Sequence, residues 1–481
     1  MFFFFPSIIN RFPLGYSGLY ALMAEKLLQN HFIPPLSVPF YDQGSVPFVY
    51  PPFGFYMAAL ATAAGIPMLD YLRGVSPLLG VFCLVVLYQF SLELSARRSK
   101  AILTVLFFCT SYEVFEKQVE AAGMVRGWAL LFCLLCLLFM LKSIRTRGQN
   151  KNDLVLAALF LGLTALTHLS YLLFTLLLMV LFCVFTAPKS FYKYGLLILA
   201  GGMLIASPWV LQTLIRFGPQ VYTGALKSHN NFALIDSLRQ SKLLASNPFF
   251  MFKDWLGTSL IGLAVLGVLA GVWKRQWAIV LGIILSYLYI GEGERFVVLL
   301  AAILVADLCI DILDHILDSG GKRLPFSLVC LSIIILIMNL FLFNYPDQWA
   351  SPTLNQSVIL MTNWLKQNSP QQSSFILLSP DHNLGEWIPY LSSRTTLIGY
   401  WGSEWKESYP RDVDNWNRVA SCTSNQLLSC FNQVVTDNQL TPDYLISPRS
   451  YSTLSSQILQ SHDWQLAYQN DQYLVYARIV K

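Results

Sequence analysis

The sequence predicts an α-helical polytopic membrane protein of about ten or eleven spans, closed by a small C-terminal extracytoplasmic α/β domain. Three observations carry that prediction. Of 481 residues, 55% are hydrophobic and only 12% are charged, more apolar surface than a soluble globule of this length can bury. The apolar residues come in helix-length runs joined by short loops, and every second loop is basic. From about residue 345 short β-like runs (Phe375 to Ser379, Thr395 to Ile398, Tyr444 to Ser447, Trp464 to Tyr468 and Tyr473 to Ala477) alternate with helix-like ones (Leu354 to Gln367, Asp412 to Thr436 and Tyr451 to Gln460), the pattern of an α/β unit. The division that follows is 1–344 for the membrane part and 345–481 for the tail.

Taken in order, Met1-Phe-Phe-Phe-Phe-Pro-Ser-Ile-Ile is too short to cross a bilayer core of roughly 30 Å, which takes about 20 helical residues. It lacks the basic region and small-residue cleavage site of a signal peptide, and reads as the end of a span that begins upstream. A first external loop, about 10–50, holds one amphipathic stretch, Ser17 to Gln29, between Pro13 and Pro34-Pro35; this predicts an interfacial helix and then an irregular loop. After Tyr50-Pro51-Pro52 an apolar run to Ile66 reaches only about 20 Å and dips into the membrane.

Hydropathy then gives about ten crossings, at roughly 74–92, 100–112, 124–141, 153–168, 170–186, 194–213, 256–273, 277–291, 295–313 and 325–344. The basic loops carry Arg97, Arg98 and Lys100; Lys142, Arg145, Arg147 and Lys151; Lys189 and Lys193; Lys274 and Arg275; Lys322 and Arg323. Positive charge marks the cytoplasmic side. The opposite side therefore receives the loops about 10–50, 113–124 and 214–255, the Gly291-Glu-Gly-Glu-Arg295 turn and the whole tail. The net charge of +5 is spread over these short loops and reads as topology, with no nucleic-acid partner.

The external face collects the candidate chemistry. Glu113, Glu116 and Glu120 fall at i, i+3 and i+7, one face of a helix, with Arg126 about two turns further on. Glu25, Asp42, Glu292, Glu294, Arg295 and His168 share the compartment, with the basic loop residues Arg216, Lys227, His229, Arg239, Lys242 and Lys253. Carboxylates beside cations at a lipid interface suit one reaction in particular, in which a base takes a proton from an acceptor hydroxyl while cations neutralise a lipid-linked phosphate leaving group. The competing readings are structural: Lys117 pairs with Glu113, the two arginines snorkel at helix ends, and His168 packs or is solvated at one. No P-loop, dinucleotide glycine fingerprint, HExxH or G-x-S-x-G is present. Asp307, Asp311, Asp314 and Asp318 form a helical stripe explained by a helix running out into water. Seven cysteines lie in or beside apolar runs; Cys422 and Cys430, in the tail, form a local disulfide in an oxidising space or remain free thiols. Glu386, Trp387, Arg394, Glu404 and Trp405 form either a sugar-stacking surface or the glue that seats the tail on the spans.

The layout resembles the C-type glycosyltransferases, multi-spanning enzymes of the protein O-mannosyltransferase, aminoarabinose-transferase and oligosaccharyltransferase kind. The resemblance rests on Tyr50-Pro51-Pro52, on Ala122-Gly123-Met-Val-Arg126-Gly-Trp, on Leu166-Thr167-His168-Leu, on Gly-Glu-Arg295-Phe, and on Glu386-Trp387-Ile-Pro389 with Gly402-Ser-Glu404-Trp405. It implies transfer of a sugar from a polyprenyl-phosphate donor at the non-cytoplasmic face of the plasma (inner) membrane, by single displacement with inversion, in some members with a divalent metal. It assigns Glu120 as the second-loop acid, Arg126 and Arg295 as phosphate contacts, and His168, Tyr50 and Glu116 to the substrate region. It also implies an acid in the first external loop, and here the sequence departs from it. Arg11-Phe-Pro-Leu-Gly-Tyr16-Ser-Gly-Leu-Tyr20 contains none, which leaves Glu25 and Asp42 as the nearest substitutes for base or metal ligand. A catalytically inactive scaffold and a lipid-carrier flippase or transporter are the alternative functions. The flippase reading is weakened by span centres that carry little charge. The acceptor is not specified by the sequence.

Overall fold

The computed structural model describes residues 5–109, 111, 118–188, 191–228, 258–290, 293–318 and 352–479. Among them, each of the first nine expected apolar runs is a helix: Met68–Ser95, Arg98–Cys109, Gly123–Arg145, Lys151–Ala165, Leu169–Phe185, Tyr192–Phe217, Thr258–Trp273, Trp277–Tyr289 and Glu294–Asp318. The tenth run, 325–344, lies outside the described residues, as do Glu113, Glu116, Lys117, Glu292 and most of the 214–255 loop. Met68–Ser95, Gly123–Arg145, Tyr192–Phe217 and Glu294–His315 are long and apolar enough to cross a bilayer, whereas Phe53–Ala63, Leu169–Phe185, Leu263–Trp273 and Trp277–Tyr289 are apolar but shorter. The chain is thus a polytopic integral membrane protein.

Burial explains the packing order. The Gly123–Arg145 helix is apolar all round and almost wholly buried, so it forms the centre, flanked by Met68–Ser95 and Lys151–Ala165. The Tyr192–Phe217 helix instead leaves Leu196, Leu204, Leu211 and Ile215 exposed, the face a bilayer would cover.

The aspartate stripe is a correction to the expectation of a solvated helix end. Lys100 pairs with Asp307 and, at 3.1 Å, with Asp311; Lys274 pairs with the same two acids; Arg97 pairs with Asp314. These acids clamp the Arg98–Cys109 helix and the turn after Thr258–Trp273 onto the Glu294–Asp318 helix. Asp307 lies about 18 Å along that helix from Arg295, at 1.5 Å per residue.

The tail carries both strands and helices. Strands β3 (Ser374–Leu377), β4 (Thr395–Thr396), β5 (Tyr444–Pro448), β6 (Trp464–Gln469) and β7 (Tyr473–Arg478) form one sheet in the order β4-β3-β5-β7-β6. β3 runs parallel to β4 and β5, and β7 runs antiparallel to β5 and β6. The helix expected over 412–436 is two, Tyr409–Ser424 and Leu428–Asp437. The chain breaks at Gln426, whose φ of 53° is left-handed, and the Cys422–Cys430 disulfide spans the break. A further helix, His382–Ser392, is not expected from the sequence; Asp381 caps it by accepting the Leu384 N–H at 3.1 Å.

The tail is sewn to the first loop. That loop is more regular than expected: β1 (Ser37–Pro39) and β2 (Ser45–Pro47) make a small antiparallel hairpin. At its tip the carbonyl of Phe40 accepts the N–H of Thr396, at the β4 edge of the tail sheet, at 3.0 Å. The expected interfacial helix, Gly18–Gln29, is largely buried and packs along His382–Ser392.

Candidate active site

The site lies where the first loop turns into the Gly18–Gln29 helix. Gly15 has a φ of +65°, and a Cβ there would lie 2.5 Å from Cδ of Glu120. Only glycine satisfies both demands, a left-handed backbone and room for a carboxyl pressed against it. Two bonds fix the contact: Ala121 N–H donates to the Leu14 carbonyl at 2.9 Å, and the Trp387 indole donates to the Gly15 carbonyl at 2.8 Å.

One residue on, the Tyr16 hydroxyl accepts a hydrogen bond from Arg126, whose guanidinium also lies 5.3 Å from the centre of the Tyr16 ring. Arg126 is only 6% exposed. Arg295 is buried to the same degree, at the start of the Glu294–Asp318 helix, with its guanidinium 5.2 Å from the centre of the Tyr171 ring. Tyr171 lies within electrostatic reach of both arginines, which come from two helices far apart in sequence. His168 adjoins Tyr171. Its Nδ1 accepts the Ser170 N–H at 3.3 Å, capping Leu169–Phe185, and its ring lies 5.3 Å edge-on to Tyr171.

Glu386 comes from the His382–Ser392 helix of the tail and is 1% exposed. Ser17 stands at the N-cap of Gly18–Gln29 but makes no capping bond; instead Glu386 Oε1 accepts the Leu19 N–H at 3.2 Å. Glu386 Oε2 is buried with no hydrogen-bond partner among the described residues. The backbone carbonyl of Glu386 accepts from the Tyr41 hydroxyl at 2.7 Å, and a Cβ on Gly18 would lie 2.2 Å from that same carbonyl oxygen. Burial pushes the Glu386 carboxyl up to about 8, with Glu120 pushing the same way and the Leu19 N–H and Arg126 opposing.

The other sequence candidates fall elsewhere. Glu25 Oε1 accepts from the Tyr390 hydroxyl at 2.6 Å, and Asp42 is paired with Lys406. Both tie the first loop to the tail, and neither joins Glu120. Tyr50 stands in a row of rings, 5.7 Å from Tyr20 and 5.1 Å from Trp405, and Tyr20 in turn lies 6.4 Å from Tyr16. Glu116 lies outside the described residues. Arg394 is internal to the tail, bonded to Ser369 and to the Lys366 carbonyl. The Glu404 carboxyl is pushed up to about 7 by burial, against the N–H groups of Glu404 and Gly402 that bond to it. Among the described residues no three His, Cys, Asp or Glu side chains gather as a metal site.

No family model and no curated protein sequence matches the chain, but solved structures do. The oligosaccharyltransferase of Archaeoglobus fulgidus in its apo form superposes with a TM-score of 0.60 at 12% identity, covering 92% of this chain and 67% of that one. ArnT from Cupriavidus metallidurans bound to undecaprenyl phosphate gives 0.59 at 13% identity, covering 99% and 96%. The arabinofuranosyltransferase AftD from mycobacteria gives 0.56 at 11% identity, covering all of this chain and 39% of that one. The likeness runs along the whole chain, bundle and tail together: it has the fold of the C-type glycosyltransferases.

Proposed function

We propose that this chain, built on the C-type glycosyltransferase fold, is a membrane enzyme that moves a sugar from a polyprenyl-phosphate donor to an acceptor hydroxyl at the non-cytoplasmic face. The observation that carries the reading is the gathering of Glu120, Arg126 and Arg295 at one end of the bundle, roofed by the tail.

Each group has a role that its place allows. Glu120 accepts the proton of the acceptor hydroxyl as that oxygen bonds to the anomeric carbon. The bond from that carbon to the phosphate oxygen breaks, and the phosphate leaves with the electron pair. A single displacement from the opposite face inverts the anomeric centre. Arg126 and Arg295 receive the growing phosphate charge; held by rings and largely dry, they stabilise it more than solvated cations would. His168 positions Tyr171, and Tyr50 belongs to an aromatic wall suited to a sugar face. The two arginines support polyprenyl-phosphate binding, and ArnT, which has the same fold, is seen with undecaprenyl phosphate.

The test is transfer from radiolabelled polyprenyl-phosphate sugars by the purified full-length protein in lipid. Label moving to a hydroxyl acceptor is expected, with a loss of at least tenfold in Arg126→Ala. No transfer from any such donor would favour the inactive scaffold.

A further inference from the structure

Glu386 has no role in the chemistry above, yet it occupies the neighbourhood from which the first loop's own acid is missing. Residues 11–20 contain no carboxylate, and the fold carries one to Leu19 from 367 residues away. Its surroundings are polar on several sides, with charge from Arg126 and Glu120 and neutral hydroxyls from two tyrosines. Arg126 and Glu120 face it from the central helix and the segment before it, Tyr41 from the hairpin and Tyr400 from the tail. An ionised Glu386 would put a second negative charge beside Glu120, where a phosphate must also arrive. A neutral carboxyl keeps the bond to Leu19 without that charge.

We propose that Glu386 is a positioning residue for the transfer site and works in its protonated form, a neutral strap from the tail to the start of the Gly18–Gln29 helix. Through that strap and the Trp387 bond, the tail holds Gly15 against Glu120 and Tyr16 against Arg126. The raised affinity of this buried carboxyl for its proton agrees with the geometry. The role deepens the glycosyltransferase reading and rests on it only for the activity measurement below.

The experiment compares the full-length protein with Glu386→Gln and Glu386→Ala across pH. The folded state holds a proton that the unfolded chain releases near 4.5, so stability falls as pH rises from there to about 8. The melting temperature of the unmodified protein is therefore expected to fall more steeply over that range than that of Glu386→Gln. Glu404 and Asp412 titrate in both proteins, so the difference between the two curves is the reading. At neutral pH Glu386→Gln is expected to keep transfer within about threefold and to lose the alkaline decline, while Glu386→Ala loses on the order of ten- to a hundredfold through misplacement of Glu120. Loss of transfer in a well-folded Glu386→Gln would overturn the proposal, because the charged form would then be required. Parallel melting curves would overturn it too, since no proton would be held. If even the unmodified protein transfers nothing, the enzyme reading fails while the melting curves still decide the state of Glu386.

Discussion

The carboxyl of Glu120 rests on Gly15, so closely that a Cβ at residue 15 would come within 2.5 Å of it. Gly15→Ala therefore has two effects. It strains a backbone at φ +65°, costing on the order of 1 kcal/mol, and it displaces the carboxyl. Displacement of a reacting group by about 1 Å costs about a hundredfold in rate, so transfer should fall by that order while the protein still folds. Initial rates beside a melting curve measure the two effects separately.

The far end of the bundle gives a contrast between two aspartates of one stripe. Asp307 serves two lysines and is mostly buried, whereas Asp314 shares an exposed pair with Arg97. Asp307→Ala should cost about 1 to 3 kcal/mol, because it leaves Lys100 and Lys274 to share the single charge of Asp311, and Asp314→Ala less than about 1 kcal/mol. Unfolding of the two variants in the same detergent reads the difference directly.

Removing the Cys422–Cys430 bridge with two serines should lower tail stability by about 2 kcal/mol, the closure entropy of a short loop. The same pair reports on compartment. On the proposed orientation, with the tail outside the cytoplasm, thiol labelling of intact cells is expected to leave both sulfurs unlabelled until a reductant is added.

Glu404 gives a pH prediction with a definite sign. Its carboxyl is neutral in the fold up to about 7 and ionises near 4.5 in the unfolded chain. The folded state thus binds the extra proton between those values, and stability declines as pH rises through that window. Glu404→Gln should remove this part of the decline, seen as a shallower dependence of melting temperature on pH.

Much of the architecture is legible in the sequence because hydropathy and β alternation are local signals. The runs at 124–141 and 194–213 announce their helices, and Tyr444 to Ser447 its strand. The His382–Ser392 helix is not legible: it carries Pro389 inside and begins with polar residues, and it is held by packing between the Gly18–Gln29 helix and the tail helix Gln356–Asn368. Sequence alone offers Glu386 as part of a sugar-stacking surface or as glue that seats the tail; that it caps a helix near the other end of the chain is visible only in the fold. Glu25 and Asp42 look like substitutes for the absent acid because they are near it in sequence; what they do is hold the tail that brings an acid there, through Tyr390 and Lys406. Asp307 misleads for a related reason, since its lysine partners lie 207 and 33 residues away and no local pattern links them.

The most direct measurement compares Glu120→Gln with the unmodified protein, both shown to be folded, in the initial rate of sugar transfer from a labelled polyprenyl-phosphate donor. Loss of a positioned base predicts a rate lower by about 10² to 10⁴. A Glu120→Gln protein that transfers sugar at the unmodified rate would contradict the assignment of the base, and with it the chemistry built on Gly15, Tyr16 and Arg126.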